Sequence, residues 1–125
     1  MRSRQIPDEV RRFVTAGIPS IPYMEALLIL KARPALPWDA PQLAQRLYVS
    51  EPAAAGLLAE LQAAGVADGA PGAGYRYAAA LELAAMLDKV EHCYTTHLVE
   101  MTALIHDKSD HRARQFADAF RFKKT

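Results

Sequence analysis

The sequence contains one cysteine, one tryptophan and no apolar stretch as long as the roughly 20 residues that a membrane-spanning helix needs. With Cys93 as its single cysteine, the chain has no internal disulfide, and we expect a reduced thiol in a cytoplasmic protein. The basic first residues are not followed by an apolar segment, so we predict no secretory signal. Apolar residues make up 51% of the 125, which is typical of a globular protein.

Motifs of catalysis and metal binding are also missing from the sequence. The glycine-rich stretch 65–74 lacks the lysine and hydroxyl residue of a phosphate-binding loop, and no serine or cysteine occupies a nucleophile motif. His92, Cys93, His97 and Glu100 lie close along the chain. Their spacing matches no familiar metal site, although a metal-sensing site across a dimer is conceivable. We therefore predict a protein that is not an enzyme and has no cofactor and no bound metal.

The charged residues are distributed unevenly, although the net charge is only +1. Residues 1–33 carry six basic against three acidic side chains, and residues 108–125 carry six against two. Residues 34–107 carry three basic against nine acidic side chains. We therefore expect the two ends of the chain to attract a polyanion and the middle to repel it.

Apolar periodicity and capping residues predict a mainly helical chain with one β-hairpin. The predicted helices cover residues 9–15, 21–33, 40–47, 51–64, 81–106 and 110–122, and the predicted strands cover 66–67 and 75–78. The predicted N-caps are Asp8, Ser20, Asp39 and Ser50, and Gln42 completes a capping box. A glycine-rich loop, 68–74, joins the strands.

The segment 43–66 has the pattern of two crossed helices joined by a tight turn. Four leucines face the crossing, two alanines are small at the closest contact, Val49 fills the turn and Gly65 ends the second helix. These leucines and alanines are Leu43, Leu47, Leu58, Leu61, Ala44 and Ala54. With the hairpin that follows, the pattern strongly resembles the winged helix-turn-helix of bacterial transcription regulators of the MarR, ArsR and PadR kind. The resemblance covers about residues 23–78.

The resemblance implies a domain organisation and a DNA interface. The domains are an N-terminal helical arm (1–19), a winged helix-turn-helix domain (20–78), a long dimerisation helix (79–107) and a basic amphipathic C-terminal helix and tail (108–125). In such regulators the second helix of the motif lies in the DNA major groove, and the wing contacts the flanking backbone. By this resemblance, 51–64 is the recognition helix and 68–74 the wing tip. The candidate DNA-binding residues are Arg46, Ser50, Arg76, Arg112 and Arg114.

The predicted recognition helix departs from this pattern, because it contains no arginine or lysine. Base reading needs hydrogen-bond donors, and cations supply much of the affinity for phosphate. The exposed positions here hold two carboxylates and a smooth set of small residues: Ala53, Ala55, Gly56, Ala59 and Ala63. Either the basic ends of the chain supply the DNA contacts, or this face packs on protein. That protein could be the chain's own extra helices, a dimer mate or another partner.

The segment 81–106 carries an apolar seam with helical spacing. Its residues are Leu83, Leu87, Val90, Tyr94, Leu98, Met101 and Ile105. We interpret the seam as the interface of a homodimer, as in the regulators that the chain resembles. Packing on the N-terminal helix of the same chain is the alternative. Near the C-terminus, Phe116 and Phe120 share one face of a predicted amphipathic helix. We expect this face to dock on the folded part of the chain or on a partner.

These observations predict a mainly α fold with a small β-hairpin wing, that is, a winged helix-turn-helix followed by a long helix. The predicted function is that of a transcriptional regulator that binds DNA as a homodimer. The alternative is a winged-helix protein-interaction module, an adaptor that has lost sequence-specific DNA reading. No membrane span is expected in either case.

Overall fold

The computed structural model describes residues 6–107, which form six helices and one two-stranded antiparallel sheet. The elements are α1 (Asp8–Gly17), α2 (Ile21–Ala32), α3 (Ala40–Leu47), α4 (Glu51–Ala63), β1 (Ala67–Ala70), β2 (Gly74–Tyr77), α5 (Leu81–Thr96) and α6 (98–107, to the last described residue). The prediction of a mainly helical chain with one hairpin is confirmed. The predicted final helix, 110–122, and its face of Phe116 and Phe120 lie outside the described residues.

The chain divides into two compact units. The first, Pro22–Glu91, contains the hairpin and the helices before it, and we call it the hairpin unit. The second consists of Met1–Ile21 and His92–Thr125, and we call it the terminal unit.

In the terminal unit, α1 buries one face and leaves the other exposed. Val10 and Val14, one helical turn apart, are fully buried. The predicted N-cap, Asp8, is wrong, because the helix begins at Asp8 itself. Pro7 precedes it, and no side chain caps the helix. The carboxylate of Asp8 still lies in the first turn, where the helix dipole favours a negative charge.

Helix α2 is the most apolar helix of the hairpin unit. Its buried residues are Tyr23, Met24, Ala26, Leu27 and Leu30, which confirms the burial that its composition predicts. Among the described residues, no single helix has the length and apolarity to cross a membrane. Helices α1 and α2 meet those limits only when they are counted together as one broken pair.

Helices α3 and α4 are capped as the sequence predicts. The Asp39 side chain accepts a hydrogen bond from the Gln42 backbone N–H at 2.9 Å, and Gln42 Oε1 accepts one from the Asp39 N–H at 3.1 Å. The Ser50 hydroxyl oxygen accepts a hydrogen bond from the Ala53 N–H at 3.2 Å. These bonds satisfy amides that the first turn of a helix leaves without partners.

Leucines from both helices form the core beneath the turn. Leu43 of α3 and Leu58 and Leu61 of α4 are buried, as are the small residues Ala44 and Ala54. Each such leucine stabilises the fold by about 1.5–3 kcal/mol through removal of apolar surface from water. The predicted pair of packed helices joined by a short turn is therefore confirmed.

The hairpin has a longer first strand and a shorter turn than the sequence predicts, and its second strand begins one residue earlier. The two strands pair along their whole length, which leaves only 71–73 as the turn. The predicted loop 68–74 is wrong because both of its ends belong to the strands. Gly69 and Gly74 have positive φ angles, and a Cβ on Gly69 would lie 2.1 Å from the Gly74 carbonyl oxygen. Glycine therefore extends the strand pairing here by allowing the backbones to approach.

The long helix predicted over 81–106 is interrupted. Helix α5 ends at Thr96, the chain bends at His97, and α6 follows. The hydroxyls of Thr95 and Thr96 both donate to the carbonyl of His92, at 3.0 and 2.7 Å. Threonine hydroxyls that bond back to the preceding turn bend helices, and β-branched side chains fit helices less well. Two consecutive threonines are therefore the physical reason for the break.

Candidate functional site

The exposed side of α4 is a surface of small residues. They are Ala53, Ala55, Gly56, Ala59 and Ala63, and we call this surface the α4 face. All five are exposed, so the rest of the hairpin unit does not cover them. A Cβ built on Gly56 would meet nothing within 4 Å. Coverage of this face by the chain's own extra helices, by a dimer mate or by another partner stays a hypothesis.

Polar side chains around the α4 face already hold hydrogen bonds inside the chain. Gln62 donates to the carbonyl of Gly69 in β1 at 2.8 Å and ties α4 to the hairpin. Ser50, a candidate DNA-binding residue, caps α4. The charged side chains of α4 are those of Glu51 and Glu60. The helix therefore offers acids and small residues, while the nearby amide and hydroxyl groups have structural tasks.

Tyr48 is a candidate interaction residue that the sequence analysis missed. It ends α3 in the left-handed conformation, with φ 59°, and is 94% exposed. This conformation costs a residue with a side chain about 1–2 kcal/mol. Glycine or asparagine is the usual residue at such a position, so a tyrosine where a predicted helix ends is unusual and could have been noticed in the sequence. A tyrosine held in solvent beside the N-terminus of α4 is a natural anchor for a partner.

A groove of about 400 Å³ lies between α4 and the hairpin, and we call it the hairpin groove. It is lined by Asp39, Ala40, Pro41, Ala55, Leu58, Ala59, Ala70, Pro71, Gly72 and Tyr75. Asp39 is the one charged residue of this lining. An apolar groove with a carboxylate at its edge suits an apolar protein segment and disfavours a phosphate backbone.

A second concave surface surrounds the extended segment before α3. Trp38 in this segment forms a bridge to Tyr75 of β2 through two backbone hydrogen bonds of 2.9 and 2.8 Å. Two adjoining cavities, of about 350 and 270 Å³, share Leu36, Trp38 and Arg46. Arg33 lines the second cavity, and we call the whole surface the arginine cleft. It shares no lining residue with the hairpin groove, although a smaller cavity of about 180 Å³ touches both.

The candidate DNA-binding arginines do not lie on the α4 face. Arg46 is exposed in the last turn of α3 and lines the arginine cleft. Arg76 lies on β2, where its Nε donates to the carbonyl of Ala35 at 3.2 Å. Arg112 and Arg114 lie outside the described residues. The structure therefore places Arg46 and Arg76 near the segment 33–38, and neither belongs to the predicted recognition helix.

The predicted dimer seam is largely buried by the chain itself. The buried members are Leu87, Val90, Tyr94, Met101 and Ile105. Leu83 is half-buried, and Leu98 is 50% exposed. The break at His97 also divides the seam between two helices. A second copy is therefore not needed to cover most of these residues, and the homodimer stays a prediction.

Lys31 forms an ion-pair cluster within the hairpin unit. Its Nζ lies 2.8 Å from Asp88 Oδ1 and 2.5 Å from Glu91 Oε1, and its side chain is 14% exposed. Burial lowers the pKa of Lys31, but the hydrogen bonds to Asp88 and Glu91 outweigh this effect, so the pKa is raised overall. Burial also raises the pKa of Tyr77, whose buried hydroxyl has no hydrogen-bond partner among the described residues. The cluster joins α2 to α5 and has the geometry of a structural ion pair.

His92, Cys93, His97 and Glu100 do not come together as a metal site. Among residues 6–107, no group of three or more His, Cys, Asp or Glu side chains could hold a metal ion. Cys93 is buried, and burial raises the pKa of its thiol, which disfavours the reactive thiolate. His97 Nδ1 lies 2.9 Å from the hydroxyl of Thr96. The arrangement is that of a buried thiol beside a histidine that bonds locally.

Comparison of the chain with protein-family models, curated proteins and solved structures gives no match. The class that the molecule itself defines is a mainly helical protein with a two-stranded antiparallel sheet. Its hairpin unit carries two concave surfaces, one apolar and cation-free and the other rich in arginine. The chemistry of these two surfaces is therefore the guide to what the hairpin unit can bind.

Proposed function

We propose that residues 20–78 form a winged-helix domain that binds a protein partner through the α4 face. The support for the domain is its element order: a helix, an extended segment, two helices joined by a tight turn, and a hairpin. Trp38 of the extended segment pairs with the hairpin through an isolated antiparallel bridge to Tyr75. This is the order of the domain in the regulators that the sequence resembles.

The chemistry of α4 is the observation that carries the proposed function. Its exposed side has small residues and two carboxylates, and no cation lies between Ser50 and Ala64. DNA binding gains affinity from cations that contact phosphates and much of its specificity from side-chain donors that contact base edges. This helix has no cation, and its one side-chain amide, Gln62, is bonded to Gly69. Small side chains allow close approach of another protein and lose little conformational entropy when buried. We therefore assign the α4 face to protein docking.

Gly56 and Tyr48 add an energetic argument. A glycine inside a helix costs about 1 kcal/mol relative to alanine, and no described residue lies within 4 Å of the space that its missing Cβ leaves. A partner that packs closely on α4 would use that space. Tyr48, exposed at the N-terminal end of the same helix, would supply the aromatic anchor that such interfaces favour.

A matched pair of variants tests this function. Ala59→Arg places a large cation on the α4 face, whereas Ala85→Arg places the same side chain on an exposed position of α5. The tagged chain is captured from the organism that encodes it, and recovered proteins are quantified and then tested in purified form. We expect a partner that the wild type and Ala85→Arg recover and Ala59→Arg loses, with affinity lowered more than about tenfold. Equal affinity of both variants for every recovered protein would contradict the proposal.

A DNA-binding regulator is the second candidate function, and cationic residues favour it. Arg46 is exposed near the turn between α3 and α4. Residues 108–125 carry six basic against two acidic side chains. In this alternative the ends of the chain hold the phosphate backbone, and α4 contributes little affinity.

A gel shift on genomic fragments over a series of salt concentrations separates the two candidates. The DNA-binding alternative predicts complexes that weaken steeply with salt and are lost when residues 108–125 are removed. Protein docking predicts no specific complex at physiological salt, with or without those residues. Specific complexes that Ala59→Arg abolishes would assign the α4 face to DNA.

A further inference from the structure

All three arginines of the hairpin unit lie around one segment, residues 33–38. Arg33 and Arg46 line the arginine cleft, and Arg76 donates to the carbonyl of Ala35 beside it. Neither Arg33 nor Arg46 forms an ion pair with another described residue. The unit as a whole carries eight acidic and five basic side chains, so this cationic surface stands out from an acidic background.

The arginine cleft combines these cations with apolar and aromatic surface. Leu36 and Trp38 line both of its cavities, and Leu36 is 41% exposed although it is a large apolar residue. The larger cavity, of about 350 Å³, falls within the range of roughly 300–1,000 Å³ that is typical of ligand pockets. Tryptophan and arginine are the residues most enriched at the energetic centres of protein interfaces. The cleft therefore has the composition of a recognition site for an anionic and partly apolar group.

We propose that the arginine cleft binds an acidic peptide segment of a partner protein. Carboxylates of the segment pair with Arg33 and Arg46, and an apolar side chain packs against Trp38 and Leu36. Guanidinium groups hold carboxylates through two parallel hydrogen bonds, and arginine clusters are a recurring means of recognising acidic motifs.

A nucleic acid fits the same cleft less well than an acidic peptide. Phosphates would pair with the arginines but leave the apolar surface of Leu36 and Trp38 without a complementary group. The hairpin unit carries eight acidic against five basic side chains, and this net negative charge disfavours a long polyanion more than a short peptide. Because no residue of α4 lines the cleft, this binding does not depend on docking at the α4 face.

Trp38 makes the proposal directly measurable, because it is the chain's single tryptophan and lies in the cleft. The full chain is titrated with a blocked peptide of alternating glutamate and leucine, and with a counterpart that has glutamine for glutamate. Calorimetry accompanies the fluorescence, so that binding with unchanged emission is also detected. We expect saturable binding of the acidic peptide that shifts the emission of Trp38. Its affinity should exceed that of the glutamine peptide by about tenfold and fall with added salt.

Arginine variants locate the binding. Arg33→Gln combined with Arg46→Gln should lower the affinity for the acidic peptide about tenfold, whereas Arg12→Gln, exposed on α1, should leave it unchanged. Arg46→Lys keeps the charge but loses the paired hydrogen bonds. Its affinity for the acidic peptide should therefore lie between that of the wild type and that of the double variant. Circular dichroism checks that each variant keeps the helical content of the wild type. Ala59→Arg should bind the peptide as the wild type does, so a failure of the α4 proposal is distinguishable from a failure here.

Three outcomes would overturn the proposal. One is the absence of acidic-peptide binding by both fluorescence and calorimetry, or equal binding of the two peptides. Another is unchanged affinity in the variant that lacks both Arg33 and Arg46. The third is tighter binding of a duplex DNA than of the acidic peptide, lost in that same variant, which would assign the cleft to nucleic acid.

Discussion

The α4 face and the arginine cleft belong to the same unit but differ in their chemistry. The α4 face is smooth, exposed and flanked by Glu51 and Glu60, with no cation. The cleft is concave and holds the only tryptophan of the chain beside arginines. Close approach and apolar burial govern binding at the first surface, and charge complementarity governs it at the second. The net negative charge of the unit therefore does not describe either surface, and the two surfaces should select different partners.

This difference favours an interaction module over a DNA reader. In the winged-helix regulators that the sequence resembles, the second helix of the motif enters the major groove, and cations around it hold the phosphates. In this chain the described arginines of the hairpin unit gather at the segment 33–38, and α4 has none. Substitutions in the core, the hairpin, the ionisable groups and α4 test this contrast.

The largest effect is expected in the core that supports the α4 face. Leu58 is 1% exposed and lines the floor of the hairpin groove, so Leu58→Ala should lower the free energy of unfolding by about 2–5 kcal/mol. Urea unfolding followed by circular dichroism measures this loss. Leu81→Ala is the matched control, because Leu81 is 87% exposed, and it should change stability by less than about 0.5 kcal/mol. Similar effects of the two changes would contradict the packing described above.

The second effect concerns the hairpin wall of the groove. Gly69 and Gly72 both have positive φ, but only at Gly69 would a Cβ collide with the opposite strand. Gly72→Ala should therefore cost about 1–2 kcal/mol from backbone conformation alone. Gly69→Ala should cost more and should disorder the hairpin, as amide hydrogen exchange of β1 and β2 would report. Equal costs would mean that the Gly74 backbone does not occupy the position that a Cβ on Gly69 needs.

The third prediction concerns the dependence of stability on pH. The pKa values of Tyr23, Lys31, Tyr77 and Cys93 are all raised in the folded chain. Burial is the main cause for the two tyrosines and the cysteine, whereas Lys31 is raised by Asp88 and Glu91 against the effect of burial.

A group with a raised folded pKa binds its proton more tightly in the folded state. Its contribution to stability is therefore complete below the unfolded pKa and is lost as the pH rises through the folded value. The unfolded values lie at about 8.5 for cysteine and about 10–10.4 for tyrosine and lysine. Urea unfolding should show a decline in stability that begins near the cysteine value and steepens above pH of about 10. In Cys93→Ser the decline should begin later, and an identical onset would contradict a buried, protonated thiol.

The smallest effect is expected on the α4 face itself. Gly56→Ala should raise the free energy of unfolding by up to about 1 kcal/mol, because alanine favours the helix and its Cβ meets open space. Ala55→Gly, next to it on the same exposed face, should lower stability by a similar amount. If a partner packs closely on Gly56, the first variant should also bind that partner more weakly despite its higher stability. Tighter partner binding by Gly56→Ala would argue against close approach at this site.

Local chemistry made part of the fold predictable from the sequence. The capping box of Asp39 and Gln42 and the cap at Ser50 each depend on residues within one helical turn, and each occurs as predicted. The break after Thr96 was missed because apolar periodicity continues across it while the threonine hydroxyls disturb the helix. The hairpin was predicted with too long a turn because Gly69 serves strand pairing instead of the loop.

The two surfaces differ in how far the sequence could predict them. The small residues of the α4 face recur with helical spacing on one element, so their exposure follows from local periodicity. Arg33, Arg46 and Arg76 belong to three different elements, and only tertiary packing brings them to one segment. The apolar seam of α5 and α6 shows the same limit, because periodicity reveals a buried face without showing what buries it.

The most direct test of the central claim is to identify what contacts position 59 in living cells. A photo-crosslinking amino acid replaces Ala59 in the full chain, with the same replacement at Ala85 as the control, and the adducts are treated with protease or nuclease. Docking on the α4 face predicts a discrete protein adduct from position 59 that is absent from position 85 and resists nuclease. A nuclease-sensitive adduct from position 59, or the same adducts from both positions, would contradict it.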